Sequence, residues 1–343
     1  MKGKMKSIML IGCGLLTLAS CDKEELANDT VVVNNTTNTR AFEARAMGPY
    51  LEMTEIRKDE RFLDFYNGTM DSRTQWFSVN ANSQFTVVGD QGTKLICSAN
   101  NFEHIGGGMV EGMIDIELVE VYNKADMILL DKATSALTED GSAIDALVSA
   151  GEVYVRAYQG GTEINLISPM TVEITTATFN PDMVKYVEVD GTGDDLLWEL
   201  AADEDVDVRE GGEGDFVTAY DILPGEWGWT NLDFMYSDPC AKTDIFVEVP
   251  VGYDPSNTEI YLSFDGDPGR LANFDTWDGT MFTEHYGQIC IGIDCHFVAV
   301  TNIGGVLEYG IQPATIVSGH VEVFTGFTPI TEADLISEIN ALP

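Results

Sequence analysis

Positive charge is what this chain lacks. It carries 18 Lys and Arg against 57 Asp and Glu, a formal net charge of −39 over 343 residues. Nucleic acid is excluded as a natural partner, because affinity there comes from neutralising phosphates with cations. Histidine is scarce as well, with only His104, His285, His296 and His320, and there is no Gly-x-Ser-x-Gly elbow, His-Glu-x-x-His helix or Walker loop. The expectation is therefore a protein without enzymatic activity. Its one sustained apolar stretch, Ile8 to Leu18, falls short of the roughly 20 residues a spanning helix needs.

That stretch follows Lys2, Lys4 and Lys6 and narrows to Leu18-Ala19-Ser20-Cys21. A basic start, a short apolar core and small residues form a secretory leader, and the four-residue close resembles a bacterial lipoprotein cleavage box. The resemblance implies a mature chain starting at Cys21 with its sulfur lipidated, each buried methylene contributing ~0.8 kcal/mol to anchoring. Removing residues 1–20, with three lysines and no acids, leaves 15 basic against 57 acidic residues and a formal charge of −42. Such a chain is repelled by an anionic membrane, so attachment rests on the lipid. Asp22-Lys23-Glu24-Glu25 resembles the export signal of surface lipoproteins of the Bacteroidota, which implies an outer-membrane anchor facing the exterior. Residues 21–45 read as a flexible tether, since 26–40 are rich in Asn and Thr and poor in large apolar groups.

Beyond the tether the hydrophobic period is two. Met113–Leu118, Gly151–Arg156, Met170–Ile174, Thr243–Val249, Glu259–Phe264, Cys295–Val300 and His320–Phe324 alternate between Gly-, Asn-, Asp- and Pro-rich breaks, as half-buried antiparallel strands do. Two stretches read as helical: one around Ser142–Ser149, and Thr331–Leu342, where Thr331 can cap and Leu335, Ile339 and Leu342 share a face. The expected architecture is all-β, two tandem antiparallel β-sandwiches over residues 46–178 and 179–343, closed by a short C-terminal helix.

Gly92-Thr93-Lys94-Leu95-Ile96, Asn101-Phe102, Gly108–Leu118 with Glu120, and Ser149–Ala157 resemble a module of uncharacterised Bacteroidota surface proteins that is similar to the ZU5-type β-sandwich. Gly228-Trp229-Thr230-Asn231-Leu232-Asp233-Phe234 resembles a signature that lies downstream in such proteins, with Leu232 where a cysteine is expected. The resemblance implies a secreted sandwich with an interaction role and carries no catalytic residues.

Beyond Cys21, Cys97, Cys240, Cys290 and Cys295 form an even set in an exported protein, so up to two disulfides are open, beside the alternative of free buried thiols. Cys290–Cys295 is the nearest local pair, with Gly292 and Asp294 able to bend the chain between them; in a straight strand they would stand about 17 Å apart. For ligand contact, Trp227, Trp277, Asp275 and Asp278 offer flat rings to stack on sugar and carboxylates to accept hydroxyls, while Trp229 reads as filler for the second core and Trp277 equally as a plug at a sandwich end. Asp265 and Asp267, like Asp190–Asp195, could hold a structural Ca²⁺, the one cofactor considered, although neither fits an EF-hand. The partners expected are the outer membrane through the lipid and an extracellular glycan or surface protein. Two other readings stand beside carbohydrate capture: a fimbrial or adhesin subunit released by cleavage after Arg40, and a surface hydrolase using paired carboxylates.

Overall fold

A computed structural model describes residues 58–137, 144–176, 180, 182–188, 198–201, 206–210, 216–235 and 239–343. Cys21, the tether, Arg40 and Asp190–Asp195 lie outside them. In chain order the elements are α1 (Glu60–Arg73), β1 (Gln75–Asn80), β2 (Phe85–Val88), β3 (Lys94–Cys97), β4 (Phe102–His104), β5 (Met113–Val121), α2 (Lys124–Leu129), β6 (Ser135–Leu137), β7 (Ile144–Gln159), β8 (Thr162–Leu166), β9 (Met170–Thr176), β10 (Val184–Glu188), β11 (Trp198–Leu200) and β12 (Asp207–Glu210). There follow β13 (Phe216–Ile222), β14 (Gly228–Met235), β15 (Lys242–Glu248), β16 (Thr258–Phe264), β17 (Leu271–Asn273), β18 (Thr276–Trp277), β19 (Met281–Cys290), β20 (Asp294–Ile303), β21 (Val306–Thr315), β22 (His320–Val323), β23 (Thr328–Pro329) and α3 (Glu332–Asn340).

The fold is all-β, as the alternation predicts, with a short C-terminal helix. A nine-stranded sheet runs β1-β5-β7-β14-β10-β11-β6, with β8 and β4 joined to β7, and faces a sheet ordered β12-β13-β9-β3-β2. The core between them takes Ile116, Leu118, Val153, Val155 and Leu232 from the first and Val87, Leu95, Val172, Ile174 and Ile222 from the second. The remaining sheets, β18-β19-β15-β22 and β17-β16-β20-β21-β23, enclose another core of Val247, Leu262, Phe282, Phe297 and Phe324. Strands β10 to β14, which the sequence places with the second sandwich, pair into the first: β10 and β14 extend the nine-stranded sheet, β13 pairs with β9, and β12 pairs with β13. Trp229 accordingly lies on β14 beside Tyr154 of β7, not in the second sandwich.

A third core joins the two sandwiches. It gathers Val119, Val121, Tyr186 and Trp229 from the outer face of the nine-stranded sheet, Phe62 and Tyr66 of α1, Met127 and Ile128 of α2, Tyr261 and Val298 of the second sandwich, and Leu335 and Ile339 of α3. This is why β16 is buried along its whole length: Ile260 and Leu262 face one core and Tyr261 faces the other. Backbone contacts seal the seam. Thr134 N–H donates to the Leu271 carbonyl (3.1 Å), Leu271 N–H donates to Thr134 Oγ1 (3.0 Å), and Ser149 N–H donates to the Gly269 carbonyl (2.9 Å). Lys124 Nζ reaches the Phe264 carbonyl (2.6 Å), and the Tyr261 hydroxyl donates to Asp131 (2.7 Å), which also pairs with Lys58.

The helices show where period and context part. In α3 the Thr331 hydroxyl accepts from Asp334 N–H and Leu335 and Ile339 are buried, as the capping pattern predicts. Where a helix is expected around Ser142–Ser149, the described residues from Ile144 onward are instead the first part of β7: Ile144 to Ala146 pair with β6, and Leu147 and Val148 pair with β14. Ala146 and Leu147 suit either conformation, and pairing on both sides decides it. Neither α1 nor α2 carries a helical period that the sequence alone reveals. In α1, Asp59 caps through Arg61 N–H while only Phe62, Tyr66 and Thr69 are buried, a narrow stripe; in α2 all six residues, Lys124 and Asp126 included, are buried, so no amphipathic face exists to read.

The disulfide is also different from the expected one. Cys240 is bonded to Cys290, with Cα atoms 5.6 Å apart, and Cys97 and Cys295 are free and buried. Cys290 ends β19 in one sheet, Cys295 lies on β20 in the sheet opposite, and the turn between them carries the chain across the core. Register supplies the partner, because Cys290 stands opposite Lys242 at the start of β15.

Candidate functional site: an aromatic and carboxylate sheet face

The outer face of the nine-stranded sheet is covered at one end by the joining core and open at the other. In the open part β1 is an edge strand of alternating exposure, and Trp76 is 58% exposed. Register then sets its neighbours. Trp76 stands opposite Glu117, which stands opposite Arg156; one step along, Ser78, Asp115, Tyr158 and Glu163 share the same face in turn. The alternate residues Phe77, Ile116 and Ala157 face the core, so a period of two sorts each strand into a wall and a working surface.

The surface side chains are held in place. The rings of Trp76 and Tyr158 are 5.7 Å apart and inclined at 49°. The Tyr158 hydroxyl donates to Glu117 Oε2 (2.9 Å), and Arg156 Nη1 donates to Glu163 Oε2 (3.1 Å) while its guanidinium lies 5.4 Å from the Tyr154 ring centre. Burial, with the carboxylate of Glu117 beside it, pushes the Tyr158 hydroxyl above its usual pKa, so it remains a donor at neutral pH. Tyr154 in turn touches Trp229 at 5.3 Å, which continues the aromatic band under the joining core. An exposed indole, fixed carboxylate acceptors and a fixed guanidinium donor are what a pyranose ring needs: an apolar face to lie on and partners for its hydroxyls.

The residues singled out from sequence are placed otherwise. Trp227 precedes β14, is half-buried on the first core, and donates its Nε1–H to the Ile164 carbonyl (2.6 Å). Trp277, on β18, packs edge-on against Phe282 at 4.9 Å and closes part of the second-sandwich core. The two tryptophans belong to different cores and do not form one site. Asp278 works as a turn former: its Oδ1 accepts from Thr280 N–H, Thr280 Oγ1 and Met281 N–H, each at 2.8 Å. Burial pushes its carboxyl up, but those donors outweigh it and hold the pKa below the ordinary value. Asp275 is exposed beside it and accepts from the Thr276 hydroxyl.

The expected calcium ligands meet the protein's own side chains. Asp265 Oδ1 is 2.7 Å from His296 Nδ1, and Asp267, its carboxyl raised by burial, is pulled back by Arg270, the Gly269 amide and Lys124. Lys124 itself is pushed down to about 8 by burial, with Asp267 and Asp265 opposing. No group of three or more His, Cys, Asp or Glu side chains suited to a metal occurs among the described residues. Of the histidines, His104 is exposed next to the Gly106–Gly108 turn, and His320 stacks on Phe297 near Glu322. No described helix is long and apolar enough to cross a membrane.

The sequence matches no protein-family model and no curated protein. Among solved structures it is similar to a crystal structure of gamma-CGTase from alkalophilic Bacillus clarkii, at 10% identity over 71% of this chain and 41% of that one. The TM-score is 0.17, and at that level the likeness carries no argument.

Trp76 was missed in the sequence because nothing local marks it; β1 alternates too weakly to stand out. The signal was present in β5 and β7, where Asp115 and Glu117, and Tyr154, Arg156 and Tyr158, fall on the phase opposite the core residues.

Proposed function

We propose that this protein is a lipid-anchored cell-surface binding protein that captures extracellular carbohydrate on the open face formed by β1, β5, β7 and β8. The observation that carries the reading is the exposed Trp76 indole set beside Tyr158, over a row of fixed hydrogen-bonding side chains. Lipid attachment at Cys21 and an outward-facing position in the outer membrane complete the proposal, and they rest on the leader and the residues after it. The ligand class is neutral: Asp115, Glu117 and Glu163 lie around the cation Arg156, and the formal charge of −42 left after removal of residues 1–20 repels sulfated or uronate chains. Such a protein would act by holding its ligand, without catalysing a reaction. The carboxyl groups of Glu152 and Asp233, the second of which raises the first, are wholly buried and give a polysaccharide no path to them.

The test is binding of residues 22–343 to an array of neutral and anionic polysaccharides, with Trp76→Ala and Trp277→Ala beside the native chain. Saturable binding to neutral glycans, lost in Trp76→Ala, supports the proposal. Selective binding of sulfated glycans, or silence across the array, counts against it.

A further inference from the structure

Glu152 on β7 and Asp233 on β14 are both 0% exposed, on the side of the nine-stranded sheet that faces the joining core. Glu152 stands opposite Asn231, Asp233 stands opposite Ser149, and the register slips between Leu232 and Asp233, so a bulge at Ser149–Gly151 separates the two positions. Asn231 Nδ2 donates to Asp233 Oδ2 (2.6 Å), and the Ser149 hydroxyl donates to Asn231 Oδ1 (2.8 Å). Both oxygens of Glu152 and Oδ1 of Asp233 have no hydrogen-bond partner among the described residues.

Charged and titratable groups come close to them from several elements. The segment after α2 supplies Lys132, buried over the Trp229 ring at 5.4 Å, and Asp131, itself paired with Lys58. From β10 come Glu188, another acid, and Tyr186; Tyr220 of β13 is engaged with the Thr230 hydroxyl. The segments packed on the start of β7 from the second sandwich add Arg270 and Glu284, both buried. The ammonium beside Glu152 is that of Lys132, which Asp131 and Glu188 share.

We propose that Glu152 and Asp233 retain a proton between them at neutral pH and act as a pH-sensitive latch on the contact between the two sandwiches. The coupling runs through Ser149, which is hydrogen-bonded to Asn231 through its side chain and to the Gly269 carbonyl through its N–H. A second negative charge in this space requires solvent, and the bulge at the seam is the nearest break in the strand pairing. Ionisation then costs the Ser149–Gly269 bond first.

Burial raises both carboxyls well above their ordinary values; Asp233 pushes Glu152 further up and Lys132 opposes, while the Ser149 and Asn231 side chains oppose the rise at Asp233. The folded state holds a proton that the unfolded chain releases near pH ~4, so stability is complete below that pH and falls as pH rises toward the folded pKa. Each retained proton costs about a factor of ten in the folding constant per pH unit over that interval.

The experiment is thermal unfolding and amide exchange of residues 22–343 from pH 5 to 9, native and Glu152→Gln, with infrared difference spectroscopy of the native chain. The expected result is falling stability with pH in the native chain, a flatter profile in Glu152→Gln, earlier loss of protection at the Ser149 amide than at Val153, and the carbonyl band of a protonated carboxyl at pH 7. Parallel pH profiles would overturn the proposal. So would destabilisation by a chelator, which would assign the balancing charge to a metal ion. If Glu152→Gln does not fold, the infrared band alone decides: its absence at pH 7 refutes the latch.

Discussion

Replacing Cys240 with Ser removes the crosslink to Cys290 and opens a loop whose ends are 50 residues apart in sequence. Loop-closure entropy for a ring of that size corresponds to ~4 kcal/mol, a large share of the roughly 5–15 kcal/mol that holds an ordinary domain. The crosslink clamps β15 and β19 where Lys242 meets Cys290, just before the register slips between Thr243 and Ile245. Cys240→Ser and Cys290→Ser remove the same crosslink, so both should lose similar stability in urea titrations. Cys295→Ser should keep the disulfide and lose less, about 1–3 kcal/mol for placing a hydroxyl where a buried thiol faces the Ala314 carbonyl at 3.6 Å. Peptide mapping without reductant reads the pairing directly. A map that joins Cys290 to Cys295, or a Cys240→Ser chain as stable as the native one, would refute the reasoning.

The seam can be tested at Gly269, where an added Cβ would lie 2.1 Å from the Ser149 carbonyl oxygen. Gly269→Ala should cost at least ~1–3 kcal/mol and raise exchange at the Ser149 and Leu271 amides, both readable by hydrogen exchange. Thr331→Ala removes the cap of α3 and should cost ~1 kcal/mol in chemical denaturation, with fraying confined to that helix. Phe62→Ala, at a fully buried position in the joining core, should cost ~3–5 kcal/mol in the same assay.

What could be read from the chain was whatever local periodicity encodes. The runs Met113–Leu118, Met170–Ile174 and Glu259–Phe264 all lie in strands, and Thr331 caps the helix that its spacing announces. What could not be read depends on partners distant in sequence. Cys240 meets Cys290 through the register of two strands, and β10 to β14 return to the first sandwich through pairings with β7 and β9. Residues 144–149 become strand because β6 and β14 flank them, although Ala146 and Leu147 would suit a helix. The site suffered most. Trp227 and Trp277 stood out by composition, but their rings pack against the protein, whereas Trp76 gains its neighbours only when β1, β5 and β7 align.

Carbohydrate capture on the open sheet face is decided by isothermal titration of the best array glycan into native, Trp76→Ala, Tyr158→Phe and Trp277→Ala chains. Losing the exposed indole should cost ~1–2 kcal/mol, roughly a 5- to 30-fold weaker Kd, with the circular dichroism spectrum unchanged. Tyr158→Phe, which frees Glu117 from its hydroxyl partner, should weaken binding less, and a folded Trp277→Ala should bind like the native chain. Unchanged affinity in Trp76→Ala, together with loss in a folded Trp277→Ala, would contradict the account and return the site to the turn at Asp275–Asp278.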